Sequence, residues 1–319
     1  MIEHLDVDAY REALSAWDMD AVPLDRGDFQ LRWVMRELPD LTIVRYSTAI
    51  SVREAYVKEP GATAFVLMLS GSDAPFRVKG TQLDPMTLTL LQSNVEYEVI
   101  SPAGGEVLEI YVPDELVASL GLERWLEPGT LNVRPELADA RRLARVLSPL
   151  VTAGQARAVH GPGARAAVLG ALASTLSSVD RSATPAPTVR LHAVYRLAVA
   201  AIEAEPDPML TVVELAARLR VTTRTLRYAF GYALGISPYQ YMLRRRLTIM
   251  RDALMDPSRP ERTLLDLLLA HGITHQGEFA GQYRRLFGES PSATRSLALG
   301  RRRDWSASSS WPPIVTASR

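Results

Sequence analysis

The feature that most limits what this chain can fold into is a tetrad, Gly-x-Ser-Pro, that occurs twice in its last third. Gly235, Ser237 and Pro238 form one copy and Gly288, Ser290 and Pro291 the other, 53 residues apart. Glycine ends a helix in the left-handed region, serine caps the next helix, and proline suits that helix's first position, where no amide is needed. Each tetrad therefore reads as helix, tight turn, helix. Between them MLRRRLTIMRDALM carries no breaker until Asp256-Pro257, which predicts one long connecting helix.

Each tetrad is preceded by a second helix pair. Thr211 and Glu214 have the S/T-x-x-E spacing of a capping box, in which two orphan amides are satisfied reciprocally. Val212, Leu215, Ala216 and Leu219 follow on one apolar face, and the β-branched run from Val221 to Thr223 stops the helix. Thr222 caps the next helix, TRTLRYAFGYAL. There Leu226, Ala229, Phe230 and Ala233 fall at core spacing, whereas Arg224, Arg227, Tyr228 and Gly231 fall opposite. In the second copy TLLDLLLAHGI supplies a helix, GIT a turn and HQGEFAGQYRRLF the following helix, with Phe279, Tyr283 and Phe287 in core positions. Two helices across a short turn, with arginines outside the second, is the layout of a helix-turn-helix. Arginine is also the commonest specific reader of guanine. Two such units on one stiff helix suit successive major grooves, about 34 Å apart.

The formal net charge is +0, but it is the sum of unlike halves. Residues 190–303 hold 18 arginines and no lysine against 10 acidic residues, hence +8; residues 1–189 hold 17 basic against 25 acidic residues, hence −8. That asymmetry points to a nucleic-acid-binding part joined to one that is not.

Residues 1–30 read as helical and then loop-like, with Pro23 and Gly27 as breakers. From Leu31 to Val112 short β-rich runs recur (LRWVM, LTIVRYSTAISVREAYV, TAFVLMLSG, FRVKG, MTLTLL, EYEVI, EVLEIYV), separated by Gly, Pro, Asp and Asn. They predict an antiparallel sandwich or barrel. Helical text follows in DELVASL, PELADARRLARVLSPLV and ARAAVLGALASTLSSV. Leu143, Val146, Leu147 and Leu150 make an apolar stripe that serves either dimerisation or packing on the chain's own sheet. RSATPAPTV reads as a linker and the last residues as a disordered tail. The expected division is a ligand-sensing or dimerisation domain over 1–180, a linker over 181–189, a DNA-binding domain over 190–303 and a tail over 304–319.

Over residues 190–297 the pattern L-A-x-x-L-x-x-[ST], a helix, G-x-S-P, an arginine-rich helix and a second unit ending F-G-x-S-P resembles the AraC/XylS family of transcription regulators. The spacing from turn threonine to closing glycine, 13 residues (222 to 235) and 14 (274 to 288), agrees with that family. The resemblance implies an α+β protein: an N-terminal cupin-like β-barrel or sandwich with flanking helices, then an all-α domain of two helix-turn-helix units joined by a long helix. It implies double-stranded DNA as partner, with a small-molecule effector, a homodimer and RNA polymerase as further possible partners. Carried over by position, the DNA-contacting residues are Thr223, Arg224, Arg227 and Tyr228, with Arg244 on the connecting helix. In the second unit they fall near His275, Gln276, Gly277 and Ala280, and phosphate contacts fall to Arg284, Arg285 and the helix start at Ser290. This second copy departs from the family: Gly272-Ile273 replaces Gly-Phe before the turn, and Gly281 stands where an arginine is frequent. The first unit is therefore expected to do most of the direct reading.

Several residues invite other chemistry. His271 and His275 have the i, i+4 spacing of a metal pair, but Gly272 and Thr274 interrupt any helix between them. Arg244, Arg245 and Arg246 suit either a phosphate clamp or a solvated face, the run Arg301 to Arg303 reads as a soluble tail, and Tyr239 and Tyr241 as packing residues. The chain has no cysteine, and residues 5–159 have no histidine, so disulfides, thiolate chemistry and a histidine-ligated cupin metal are not expected. No nucleophile elbow or phosphate loop is present, so neither an enzyme nor a cofactor is expected. No long apolar run and no signal-peptide pattern are seen, which makes a cytoplasmic protein the expectation. A barrel of this size can hold one small ligand; Trp33, Tyr46, Arg53 and Tyr56 are candidates to line it. An architectural DNA binder without sequence preference is the rival reading of the basic half.

Overall fold

A computed structural model describes residues 2–5, 19–27, 30–58, 60–70, 74–126, 132–152, 162–179, 189–204, 210–256 and 263–301. The chain forms two compact units, one drawn mainly from residues 29–186 and the first 21, the other from residues 187–310 with 22–28. Residues 181–188 of the expected linker and the tail 304–319 lie outside the described residues.

The first unit is a two-sheet sandwich. Its strands are β1 (Ile2–Leu5), β2 (Asp20–Pro23), β3 (Leu31–Leu38), β4 (Leu41–Thr48), β5 (Val52–Val57), β6 (Ala62–Ser70), β7 (Phe76–Val78), β8 (Thr81–Leu83), β9 (Leu88–Leu91), β10 (Glu96–Ser101), β11 (Glu106–Pro113) and β12 (Asn132–Val133). One sheet has the order β1-β3-β4-β11-β6-β9-β12 and the other β2-β5-β10-β7-β8. The larger sheet is antiparallel throughout, with Trp33 opposite Tyr46 and Val44 opposite Glu109. The helical reading of the first 30 residues is corrected at both described stretches, since Ile2–Leu5 and Asp20–Pro23 are strands. The first pairs with Leu31–Val34, a partner that local sequence does not announce. Residues 6–18 lie outside the described residues.

Alternation along each strand builds two cores. Ile43, Phe65, Leu67, Leu108 and Ile110 point from the larger sheet to its outer face. There they meet helices α1 (Asp114–Ser119), α2 (Leu137–Leu147) and α3 (Pro162–Ser177). The intervening residues, among them Trp33, Val44, Ala64, Val66 and Tyr111, point between the sheets and meet Val52, Tyr56, Tyr97 and Val99 of the smaller sheet. The stripe on α2 resolves in favour of self-packing. Leu143, Leu147 and Leu150 are buried and Val146 packs beside them in the outer core. Leu143 and Leu147 expose nothing to another subunit.

The second unit contains α4 (Val189–Ala204), α5 (Val212–Arg218), α6 (Thr223–Leu234), α7 (Pro238–Met255), α8 (Leu264–Ala270), α9 (Gln276–Phe287) and α10 (Pro291–Arg301). Its helix ends follow the punctuation. Thr211 and Glu214 close a capping box, as do Ser237 and Gln240, and Thr263 and Asp266. Gly235 and Gly288 terminate α6 and α9 at φ 71° and 77°, where glycine is unstrained. Thr222 accepts a hydrogen bond from the Thr225 amide and shares a second contact of 2.9 Å between hydroxyls. Thr222→Ala should lower stability by about 1 kcal/mol, readable as a shift in the urea midpoint at unchanged slope.

Candidate functional site

Helix α6 owes its orientation to one aromatic cluster. Phe230 is fully buried, edge-on to Tyr195 of α4 at 5.3 Å between ring centroids and 5.5 Å from Tyr241 of α7. With Leu226, Ala229 and Ala233 also buried, the opposite side of the helix must face solvent. Arg224, Arg227 and Tyr228 are exposed there, Thr223 is half-buried at the helix start, and Gly231 lies open. The Arg224 guanidinium stands over the Tyr228 ring, 5.4 Å from its centroid, and its Nη2 donates to the Tyr228 hydroxyl at 3.0 Å. One arginine is thus pre-ordered along the helix, leaving Arg227 as the neighbouring cation without that tether.

Helix α9 is held by Phe279, Tyr283, Leu286 and Phe287, all buried against Leu247, Met250 and Leu254 of α7. Its outer surface is poorly equipped for reading bases. His275 is the N-cap residue without a side-chain cap bond, and His275, Gln276 and Gly277 are exposed. Ala280 and Gly281 are half-buried. Glu278, which sequence reasoning passed over, is exposed and accepts from Gln282 at 3.1 Å. An acid on this surface repels phosphate and its spacing to Gln282 marks it as outward-facing, a signal the i, i+4 rule makes visible. Arg284 and Arg285 are exposed near the C-terminal end of α9, and the Ser290 hydroxyl caps α10 through the Ala293 amide.

The connecting helix α7 has 18 residues, a rod of ~27 Å at 1.5 Å per residue. Arg244, Arg245 and Arg246 on it are half-buried. Burial lowers the pKa of Arg244, and its Nη1 is enclosed without a hydrogen-bond partner. Tyr241 is buried as expected, but Tyr239 is 59% exposed and is no packing residue. His271 bonds the Leu267 carbonyl through Nδ1 at 2.8 Å, a helix-end contact. Arg302 and Arg303 lie outside the described residues.

In the sandwich, the four proposed lining residues separate. Trp33 and Tyr56 belong to the core between the sheets, and Tyr46 packs against it. Arg53 is on the opposite face of β5 from Tyr56. It is buried in ion pairs with Asp20 at 3.1 Å and Glu98 at 2.9 Å. It is therefore withdrawn as a lining residue. Alternation in VREAYV already forbids Arg53 and Tyr56 from sharing a face.

A family model described as a helix-turn-helix domain matches residues 215–296. The regulatory protein HrpB of Ralstonia nicotianae is 36% identical over 123 residues, 38% of this chain and 26% of that protein. The XylDLEGF operon transcriptional activator 2 of Pseudomonas putida is 33% identical over 96 residues, 30% of this chain and 61% of that protein. The chain thus spans between about a quarter and three fifths of the length of these relatives. The crystal structure of the AraC-like transcriptional activator CuxR aligns with 78% of this chain and 94% of its own, at 15% identity and a TM-score of 0.45. Among the described residues no helix is long and apolar enough to cross a membrane. The helix pairs α5–α6 and α8–α9 on the rod α7, together with the matched model and relatives, identify residues 215–296 as a helix-turn-helix domain of the AraC/XylS type.

Proposed function

We propose that this chain is a sequence-specific DNA-binding transcription regulator of the AraC type, in which α6 reads the major groove and the sandwich unit senses a small-molecule effector. The observation that carries the reading is the orientation of α6: Leu226 and Phe230 are buried while Arg224, Arg227 and Tyr228 stand exposed on a capped helix behind a tight turn. Arginine at such a position can donate two hydrogen bonds to guanine O6 and N7. Helix α9, with Glu278 exposed and Gly277 bare, supports a subordinate role, with Arg284 and Arg285 holding backbone phosphates. Regulation rather than catalysis is favoured by the absence of cysteine and of any histidine from residues 5–159.

The test is selection of bound fragments from genomic DNA, followed by titration of the selected duplex and a random duplex at one salt concentration. Arg227→Ala should weaken binding to the selected site by about 1–3 kcal/mol and leave random-DNA binding unchanged. Equal loss on both would reduce Arg227 to a phosphate contact. Equal affinity of the unaltered chain for both duplexes would replace a specific regulator with an architectural binder.

A further inference from the structure

The turn inside the first helix pair carries an arginine in a backbone conformation that favours glycine. We infer that this residue, Arg220, is a further DNA-contacting residue, whose guanidinium takes a backbone phosphate of the duplex that α6 enters. The inference rests on the reading of α6 as the groove helix and adds to it a contact that carries no sequence information.

The two helix pairs can be compared with each other, because the first helix of each ends in the same backbone motif. After α5, the Arg220 amide donates to the Ala217 carbonyl at 3.1 Å and the Val221 amide to the Ala216 carbonyl at 3.0 Å. After α8, the Gly272 amide donates to the Leu269 carbonyl at 3.0 Å and the Ile273 amide to the Leu268 carbonyl at 2.9 Å. This pair of bonds needs a left-handed residue just past the helix end. The φ angle is 69° at Gly272 and 52° at Arg220. Glycine adopts that geometry without strain, whereas an L side chain there crowds a carbonyl oxygen. Among the described residues of the helical unit, Arg220 is the only non-glycine residue with a positive φ. Gly272 thus shows which residue the turn itself prefers, and the first unit departs from it at a cost in backbone strain.

Nothing within the described residues compensates that strain. The Arg220 side chain is exposed and, among the described residues, forms no hydrogen bond or ion pair. The sequence around it offers no partner either: residues 215–234 contain Arg218, Arg220, Arg224 and Arg227 and no acidic residue. Glu214, the nearest acid before that stretch, is engaged with Thr211 in the capping box of α5. What remains is the place of the side chain in the motif. Arg220 stands two residues before Thr222, the cap of α6, while Arg224 and Arg227 are exposed on the helix itself. In a docked helix-turn-helix the second helix puts its N-terminal residues against base edges and the first helix crosses the backbone. The turn between them therefore lies at the groove edge, where phosphates and not bases are within reach. An arginine there offers a charge-assisted hydrogen bond to a phosphate oxygen.

Arg220→Gly in the full chain separates the contact from the strain, because the two effects have opposite signs. The variant should unfold at a higher urea concentration than the unaltered chain, since glycine relaxes the left-handed turn. Its affinity should nevertheless fall roughly three- to tenfold at about 0.1 M salt, on the selected duplex and on a random duplex alike. The slope of log affinity against log salt should become shallower by about one. Arg220→Ala, which keeps the strain and drops the charge, should match the glycine variant in binding but not in stability. Arg220→Lys, which keeps both, should retain most of the affinity and the slope. Unchanged affinity and slope in the glycine and alanine variants would overturn the inference. So would a loss confined to the selected duplex, which would make Arg220 a base reader, or a lower urea midpoint for Arg220→Gly, which would show that the turn itself prefers arginine. Specific binding by the unaltered chain with unchanged variants sinks only the Arg220 contact. Equal affinity of the unaltered chain for both duplexes sinks the specific regulator, while the salt slope on either duplex still decides whether Arg220 holds a phosphate.

Discussion

Phe230→Ala is expected to destabilise the C-terminal unit by about 3–5 kcal/mol, the cost of emptying a fully buried aromatic site. The loss exceeds simple area burial because Phe230 is the middle ring of three. Its edge-on contact with Tyr195 and its tilted contact with Tyr241 both disappear, and each such pair contributes roughly 0.5–1.5 kcal/mol beyond area. These rings join α4, α6 and the start of α7, so the cavity opens beneath the helix that carries Arg224 and Arg227. Specific DNA binding should fall with stability. Hydrogen exchange should show α6 losing protection while α9, whose core contains Tyr283 and Phe287 and not Phe230, keeps it. Phe230→Leu, which refills most of the volume, should restore much of both. If Phe230→Ala leaves α6 protected, the ring is not the support of that helix.

How much of this was legible in the sequence depends on how local the signal was. Capping is local: Thr211 with Glu214, Thr222, Ser237, Gly235 and Gly288 all mark helix ends where their own side chain or φ angle does the work. The same rule applied to Thr263 and Asp266 would have found the start of α8. Most strands from Leu31 onward were legible, because those runs are β-rich and bounded by turn residues, but the short β8 (Thr81–Leu83) and β12 (Asn132–Val133) were not, and β4 and β5 read as one run. Strand β1 was not, since four residues become a strand only through pairing with β3. The stripe of Leu143, Leu147 and Leu150 showed that a face is apolar but not what it meets; the outer face of the larger sheet turned out to cover it. Arg53 and Glu109 mark the same boundary from opposite sides. Parity along β5 could have removed Arg53 from the space between the sheets, but nothing near Glu109 in the chain tells that the Tyr46 phenol, more than sixty residues earlier, lies beside it.

Removing the Arg251 guanidinium should damage the second helix-turn-helix unit and spare the first. Arg251 is 6% exposed on α7, its Nη1 lying 2.8 Å from Glu289 and 3.3 Å from the Tyr283 hydroxyl. Its guanidinium is 4.8 Å from the centroid of the Phe287 ring. Thr294 donates to the same carboxylate at 2.7 Å and lies 2.9 Å from Tyr283, so one network ties α7 to α9 and to the turn before α10. Truncating one partner of a buried pair costs about 3–5 kcal/mol because the other charge is left without compensation. Glu289 retains 29% exposure of its side chain, which moderates that penalty and puts Arg251→Ala near 3 kcal/mol. Arg251→Met with Glu289→Gln, which removes both charges and keeps the stem packed, should cost clearly less than Arg251→Ala alone. Hydrogen exchange should then show α9 losing protection and α6 keeping it, the reverse of the Phe230 result. That exchange of patterns is what two separate cores on one shared rod require, and a single cooperative loss in both variants would show instead that α7 fuses them into one folding unit.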